Sequence, residues 1–110
     1  MTHPALFVVK ATIAPELEQA FNEWYDTVRS KEIAQVPGCL GMRRYAALPL
    51  ESAHAGSEPW QYMVVYDFDS EASLQAFVHS DTLRAMTKDY DARFGARGDR
   101  ARLAYRQIYP

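Results

Sequence analysis

Trp60 to Asp69 (WQYMVVYDFD) constrains the fold more than any other stretch of the chain. It is dense in aromatic and β-branched residues and reads as a strand. A half-solvated strand would alternate apolar and polar side chains. Here Trp60, Tyr62, Val64, Tyr66 and Phe68 fall on one side, and Met63 and Val65 on the other are apolar too. Ala5 to Ile13 (ALFVVKATI) behaves in the same way, with Leu6 and Val8 opposing Phe7, Val9 and Ile13. A sheet built from such strands needs cover on both faces.

Helical periodicity supplies one of the covers. Pro15, Glu16 and Glu18 suit the first turn of a helix. Leu17, Phe21, Trp24 and Val28 then follow at spacings of four, three and four, predicting an amphipathic helix to about Gln35. Pro37-Gly38 ends it. Cys39 to Leu48 reads as a second strand, and Pro49 to Pro59, with little that could pack, as a long mobile hairpin loop. After Trp60–Asp69, Asp69 or Ser70 caps a helix that buries Leu74, Phe77 and Val78. Ser80-Asp81 opens a further helix with Leu83, Met86, Tyr90 and Phe94 inward. Gly95 to Arg100 reads as a loop, and Arg102 to Tyr109 as a last strand with Leu103, Tyr105, Gln107 and Tyr109 on one face.

The order strand, helix, strand, strand, helix pair, strand is the split βαβ pattern. It predicts an α+β, ferredoxin-like βαββαβ fold with a four-stranded antiparallel sheet and helices on one face. The other face needs a second sheet, which a symmetric homodimer provides. At 110 residues the chain forms a single domain, 1–110, large enough for its own core.

Charge and composition remove several function classes. A formal net charge of −2 gives no electrostatic reason to expect nucleic acid or an anionic membrane as partner. No run approaches the roughly 18 apolar residues of a membrane span. Cys39 is the sole cysteine, so there is no internal disulfide, and it is expected to be a small buried hydrophobe. The N-terminus lacks signal-peptide features, so a cytoplasmic protein is expected. No glycine-rich phosphate loop, Gly-x-Ser-x-Gly elbow or Cys-x-x-Cys occurs, which argues against nucleotide cofactors, serine hydrolysis and dithiol redox chemistry. His3, His54 and His79 are scattered without metal-site spacing, so no metal and no cofactor is expected.

A second stripe on the first helix carries the candidate chemistry. Glu18, Asn22, Tyr25 and Arg29 repeat the spacing of the core stripe one residue on, with Asp26 at the edge. Such a stripe is either a solvated flank or the wall of a cleft between helix and sheet. In a cleft, Tyr25 can donate a proton, Asn22 can orient a carbonyl, and Arg29 can hold a carboxylate or enolate. Trp60, Tyr62 and Tyr66 form an aromatic wall suited to a flat ring, and Tyr90 adds a ligand-facing aromatic from the last helix. Arg43 and Arg44 point to opposite sheet faces, and Arg44 is assigned to the ligand side.

The segments Asn22-Glu23-Trp24-Tyr25-Asp26-Thr27, Pro37-Gly38, Arg43-Arg44-Tyr45 and Tyr62 to Ser70 resemble the EthD-like small proteins of the dimeric α+β barrel superfamily. Their pattern runs N-x-W-Y-D-T-x-H, a later PG, R-Y, and Y-E-x-D-S after the third strand. The resemblance implies a homodimer with a small-molecule cavity between sheet and helices. It also implies relatives with diverse activities: cofactor-free quinol oxidation, lactone isomerisation, polyketide cyclisation and haem degradation. This chain departs from the pattern at Arg29, which stands where the pattern carries histidine. Arginine stays protonated and cannot serve as a general base near neutral pH, so it favours an anionic ligand or a developing enolate.

The expected function is a small-molecule enzyme or binding protein acting on an aromatic or polyketide-like carbonyl compound. Arg29 and Asn22 hold the carbonyl or its enolate, Tyr25 or Asp26 manages a proton, and His79 is a displaced base. A non-catalytic dimeric module is the alternative, and haem binding through His79 is a remoter one.

Overall fold

The computed structural model describes residues 4–50, 52–95 and 100–110. His3, Glu51 and residues 96–99 of the predicted Gly95–Arg100 loop lie outside the described residues. Along the chain come β1 (Ala5–Ala11), a 3-10 turn (Pro15–Leu17), α1 (Glu18–Trp24), a π-helical segment (Tyr25–Arg29) and α2 (Ser30–Ile33). These are followed by β2 (Cys39–Ala46), β3 (Tyr62–Phe68), α3 (Glu71–Val78), α4 (Asp81–Phe94) and β4 (Arg100–Arg106). The four strands form one sheet in the order β2-β3-β1-β4 with every neighbouring pair antiparallel, the ferredoxin-like arrangement.

The two central strands are the apolar ones. Phe7, Val9, Val64, Tyr66 and Phe68 face the helices and join Phe21, Trp24, Leu74, Phe77 and Met86 in the core. Burying each large apolar side chain contributes about 1.5–3 kcal/mol. One row on the helix side runs Arg44, Val64, Val9, Arg102, so the apolar centre is bracketed by an arginine on each edge strand. On the other face, Val8 and Val65 are covered by their neighbours, while Leu40, Tyr45, Leu103 and Tyr105 remain exposed.

The predicted element order holds, and the boundaries move. The first strand ends at Ala11 rather than Ile13, the second at Ala46 rather than Leu48, and the first helix at Ile33 rather than Gln35. β3 starts at Tyr62, so Trp60 is not part of it. β4 starts two residues before Arg102 and ends at Arg106, leaving Gln107 and Tyr109 beyond it. Ser70 and Ser80 are the caps, accepting from the amides of Ser73 and Leu83 at 3.1 Å each. Cys39 is half-buried at the start of β2.

The larger correction concerns Val28, expected inward and found 38% exposed. The π-helical segment bonds i to i+5 and accommodates one extra residue per turn. The inward stripe therefore slips by one position after Trp24 and continues through Tyr25, Arg29 and Ile33, all buried.

Gly38 closes the first helix onto the third. Its φ is +80°, and a Cβ there would lie 2.4 Å from Ser73 Cβ and 2.9 Å from Asp69 Oδ1. Gly38→Ala therefore suffers both backbone strain and a clash. It is expected to cost at least about 2 kcal/mol in urea unfolding, and a loss below about 0.5 kcal/mol would contradict this packing.

Candidate functional site

The slipped stripe brings two polar groups of different character against the sheet. The first is buried. Arg29 is 3% exposed, the one charged side chain fully buried among the described residues. Its Nη2 donates to the Met86 carbonyl at 3.0 Å and its Nη1 to Glu32 Oε1 at 3.2 Å. The guanidinium also lies 4.3 Å from the centre of the Trp24 ring, a cation–π contact. Around it close Tyr25, Tyr66 and Tyr90 from three different elements, with Arg100 and Arg102 of β4. They line a partly open cavity of about 30 Å3, room for a single water.

Three features set the electrostatics of this cavity. Among the described residues that line it there is no carboxylate and no imidazole. Arg100 is paired with Asp91 at 2.7 Å, whereas Arg102 Nη2 donates to the neutral Thr87 hydroxyl at 3.0 Å. Desolvation, reinforced by the neighbouring Arg100, pulls the Arg102 pKa down. The surplus of positive potential is therefore local.

The tyrosines answer to burial first. Desolvation raises Tyr25 above its ordinary value, against the lowering pull of Arg29, Arg44 and Arg100. Burial holds Tyr66 well above the phenol range, with Tyr25 beside it adding to the effect. Tyr90 is pushed up to about 12 by desolvation and then by Tyr25. All three are hydrogen-bond donors at neutral pH and none is a base.

The second group lies toward β2 and is internally satisfied. Arg44 donates to Asn22 Oδ1 at 2.7 Å and to Asp26 Oδ1 at 2.8 Å. Asn22 Nδ2 donates to the Tyr62 hydroxyl at 3.2 Å, and that hydroxyl donates to Glu18 Oε1. Gln61 also donates to Glu18, at 3.0 Å. Tyr25 links the groups: the Arg44 guanidinium sits 4.9 Å from the centre of its ring.

The structure thus brings Tyr25, Arg29, Tyr66 and Tyr90 together, and gathers Asn22, Asp26, Arg44 and Tyr62 next to them. Tyr25 and Arg29 are not a solvated flank. Asp26 is exposed except for its ion pair with Arg44. Trp60 lines a separate hollow with Lys10, Tyr45 and Met63, on the side away from the helices. His79 is exposed at the C-terminal cap of α3 and lines none of the cavities described. The lining of the 30 Å3 cavity does not include His79. Arg100 and Arg102 were not among the sequence candidates. Their signal was arginine at every second position, Arg100, Arg102 and, after Ala104, Arg106, on one face of a strand.

Residues 4–89 match the family described as antibiotic biosynthesis monooxygenase. No curated protein matches the chain. Solved structures of similar fold include an ethyl tert-butyl ether D (EthD) family protein from Bacillus halodurans C-125, 21% identical, covering 96% of this chain and 99% of that one at a TM-score of 0.66. A dimeric ferredoxin-like protein of unknown function from Jannaschia sp. CCS1 is 14% identical, with 93% and 97% covered and a TM-score of 0.64. The haem degrader MhuD of Mycobacterium tuberculosis, solved with two haems in its active site, is 16% identical, with 96% and 97% covered and a TM-score of 0.65.

The buried tyrosines make stability fall in alkali. Each holds its proton more tightly folded than unfolded, so its contribution is complete below the unfolded value of 10 and is lost as pH rises through the folded value, about 12 for Tyr90. Unfolding free energy is expected to be level up to about pH 9 and to drop between about pH 10 and 12. Tyr90→Phe should make that drop shallower. Identical pH dependence of the unfolding free energy in the two proteins would contradict the burial.

Proposed function

Because the chain belongs to the antibiotic biosynthesis monooxygenase family, which includes cofactor-free monooxygenases and small-molecule binders, we propose that it binds or transforms an aromatic or polyketide-like carbonyl compound as its enolate or phenolate. The supporting observation is the cavity that joins buried Arg29 to Tyr25, Tyr66 and Tyr90 with no carboxylate in its lining among the described residues. Such a site favours negative charge on a ligand oxygen, because preorganised donors in a low-dielectric site stabilise it strongly. Arg29 and the Tyr25 hydroxyl hold that oxygen, and the aromatic rings receive the flat body.

With no carboxylate or imidazole in the lining among the described residues, the ligand's own acidity matters. A compound already ionised near neutral pH needs no proton acceptor in the cavity. Asn22 and Asp26 act one step back, fixing Arg44 against the Tyr25 ring. A ring-sized ligand requires the cavity to widen. Leu83 and Arg102, which line it and reach the surface, are the side chains able to give way.

The test uses 2-hydroxy-1,4-naphthoquinone, a flat enolic carbonyl compound that is already an anion at neutral pH, titrated by calorimetry. Arg29→Met keeps the volume while removing the charge, and Tyr25→Phe removes only the hydroxyl. Each variant is expected to stay folded and to lose at least about tenfold in affinity, the scale of a lost hydrogen bond to a charged group. Wild-type affinity in both folded variants would end this reading.

We also propose that two copies pair through the open sheet face, a reading supported by exposed Leu40, Tyr45, Leu103 and Tyr105 and by the dimeric relative. Leu103→Glu places a charge in that contact. Sedimentation velocity is expected to give a dimer for the unaltered chain and a monomer for the variant; a monomer for both would refute the pairing.

A further inference from the structure

The small cavity shares a wall with a much larger space. A groove of about 360 Å3 opens between the end of the first helix and the α3–α4 pair, lined by Glu32, Val36, Pro37, Ala76, Phe77 and Thr82 among others. Its size lies in the range of small-molecule sites, roughly 300–1,000 Å3. Phe77 lines both the groove and the cavity. The Arg29–Glu32 ion pair spans the same wall, with Arg29 lining the cavity and Glu32 lining the groove, 3.2 Å apart.

The two partners differ in what holds them. The Arg29 side chain is 4% exposed and is also fixed by the Met86 carbonyl and the Trp24 ring. The Glu32 side chain is 38% exposed, so water solvates much of the carboxylate when it leaves. A buried guanidinium needs a counter-charge, and among the described residues the cavity lining contributes none. A ligand carboxylate or enolate oxygen arriving along the groove carries the same charge to the same atoms. Deepening the cavity reading above, we propose that the groove is the outer half of the ligand site and that Glu32 is a placeholder displaced from Arg29 by the anionic group of the ligand. The ligand class is a monoanion with an apolar, aryl-sized body. Val36, Pro37, Ala76 and Phe77 take that body, and the displaced Glu32 repels a second negative charge.

The test titrates 2-naphthoate, with neutral 2-naphthamide as control, into the full chain followed by amide NMR. Naphthoate is expected to shift the Glu32, Ala76 and Phe77 amides. Glu32→Gln removes the internal competitor and should tighten naphthoate binding at least about threefold while leaving naphthamide unchanged. Ala76→Trp fills the groove from an exposed helix position and should abolish the naphthoate shifts in a protein whose spectrum remains folded. Equal naphthoate affinity with and without Glu32, binding that survives Ala76→Trp, or no shifts at millimolar naphthoate would each overturn the proposal. If only Arg29→Met abolishes naphthoate binding, the groove is not the route and the cavity reading stands. If that variant also binds normally, both fall.

Discussion

A guanidinium taken out of water costs several kcal/mol unless its charge and its donors are matched. Arg29 is matched from two directions, by Glu32 on its own helix and by the Met86 carbonyl on α4. The Trp24 ring stacks beneath it. The residue that dominates the cavity is therefore also a tie between the first helix and the last. What turns it inward is the π-helical segment Tyr25–Arg29, because one additional residue in the turn rotates every later side chain. An uninterrupted α-helix would point Val28 at the sheet and leave Arg29 on the flank. The positive potential, the tyrosine environment and the shared wall with the groove all follow from that local winding.

The two polar groups have different chemical capacities. Around Arg44, hydrogen bonds link Asn22, Asp26, Tyr62 and Glu18 into one network, which suits a rigid support. Arg29 is paired with Glu32, and the lining of its cavity has donors and, among the described residues, no carboxylate. The related folds carry different activities on the same layers, and one holds two haems in its active site. Fold alone does not choose among activities. In this chain Tyr25 and Arg29 line the cavity, and His79 is exposed at the end of α3.

Much of the architecture was legible before any coordinates. Pro15, Pro37-Gly38, Ser70 and Ser80 punctuate the chain where the elements start and stop, because capping and φ restrictions are local properties. The apolar character of both faces of β1 and β3 was legible for the same reason. The candidate stripe was found by its spacing, and Tyr25 and Arg29 do face the sheet. The core stripe through Val28 was misread, since a 3.6-residue period assumes uniform winding and the π segment breaks it. Trp60 was assigned to the aromatic wall because alternation carries no marker of where a strand begins. Arg100 sits at the boundary of the predicted loop and strand, and Arg102 lies on the face of the last strand opposite Leu103 and Tyr105.

The sequence by itself determined the order of elements, their caps and the antiparallel split βαβ layout, because these depend on neighbours a few residues away. It also determined that position 29 is an arginine, which cannot serve as a base near neutral pH whatever the fold. Only the tertiary structure decided that Arg29 is buried and Asp26 is not, and that Tyr25, Tyr66 and Tyr90 share a cavity with β4 arginines. The same holds for Glu32, which lies between that cavity and a groove. Those facts join residues up to 77 positions apart, Tyr25 to Arg102, and depend on how a single helical turn is wound against a sheet.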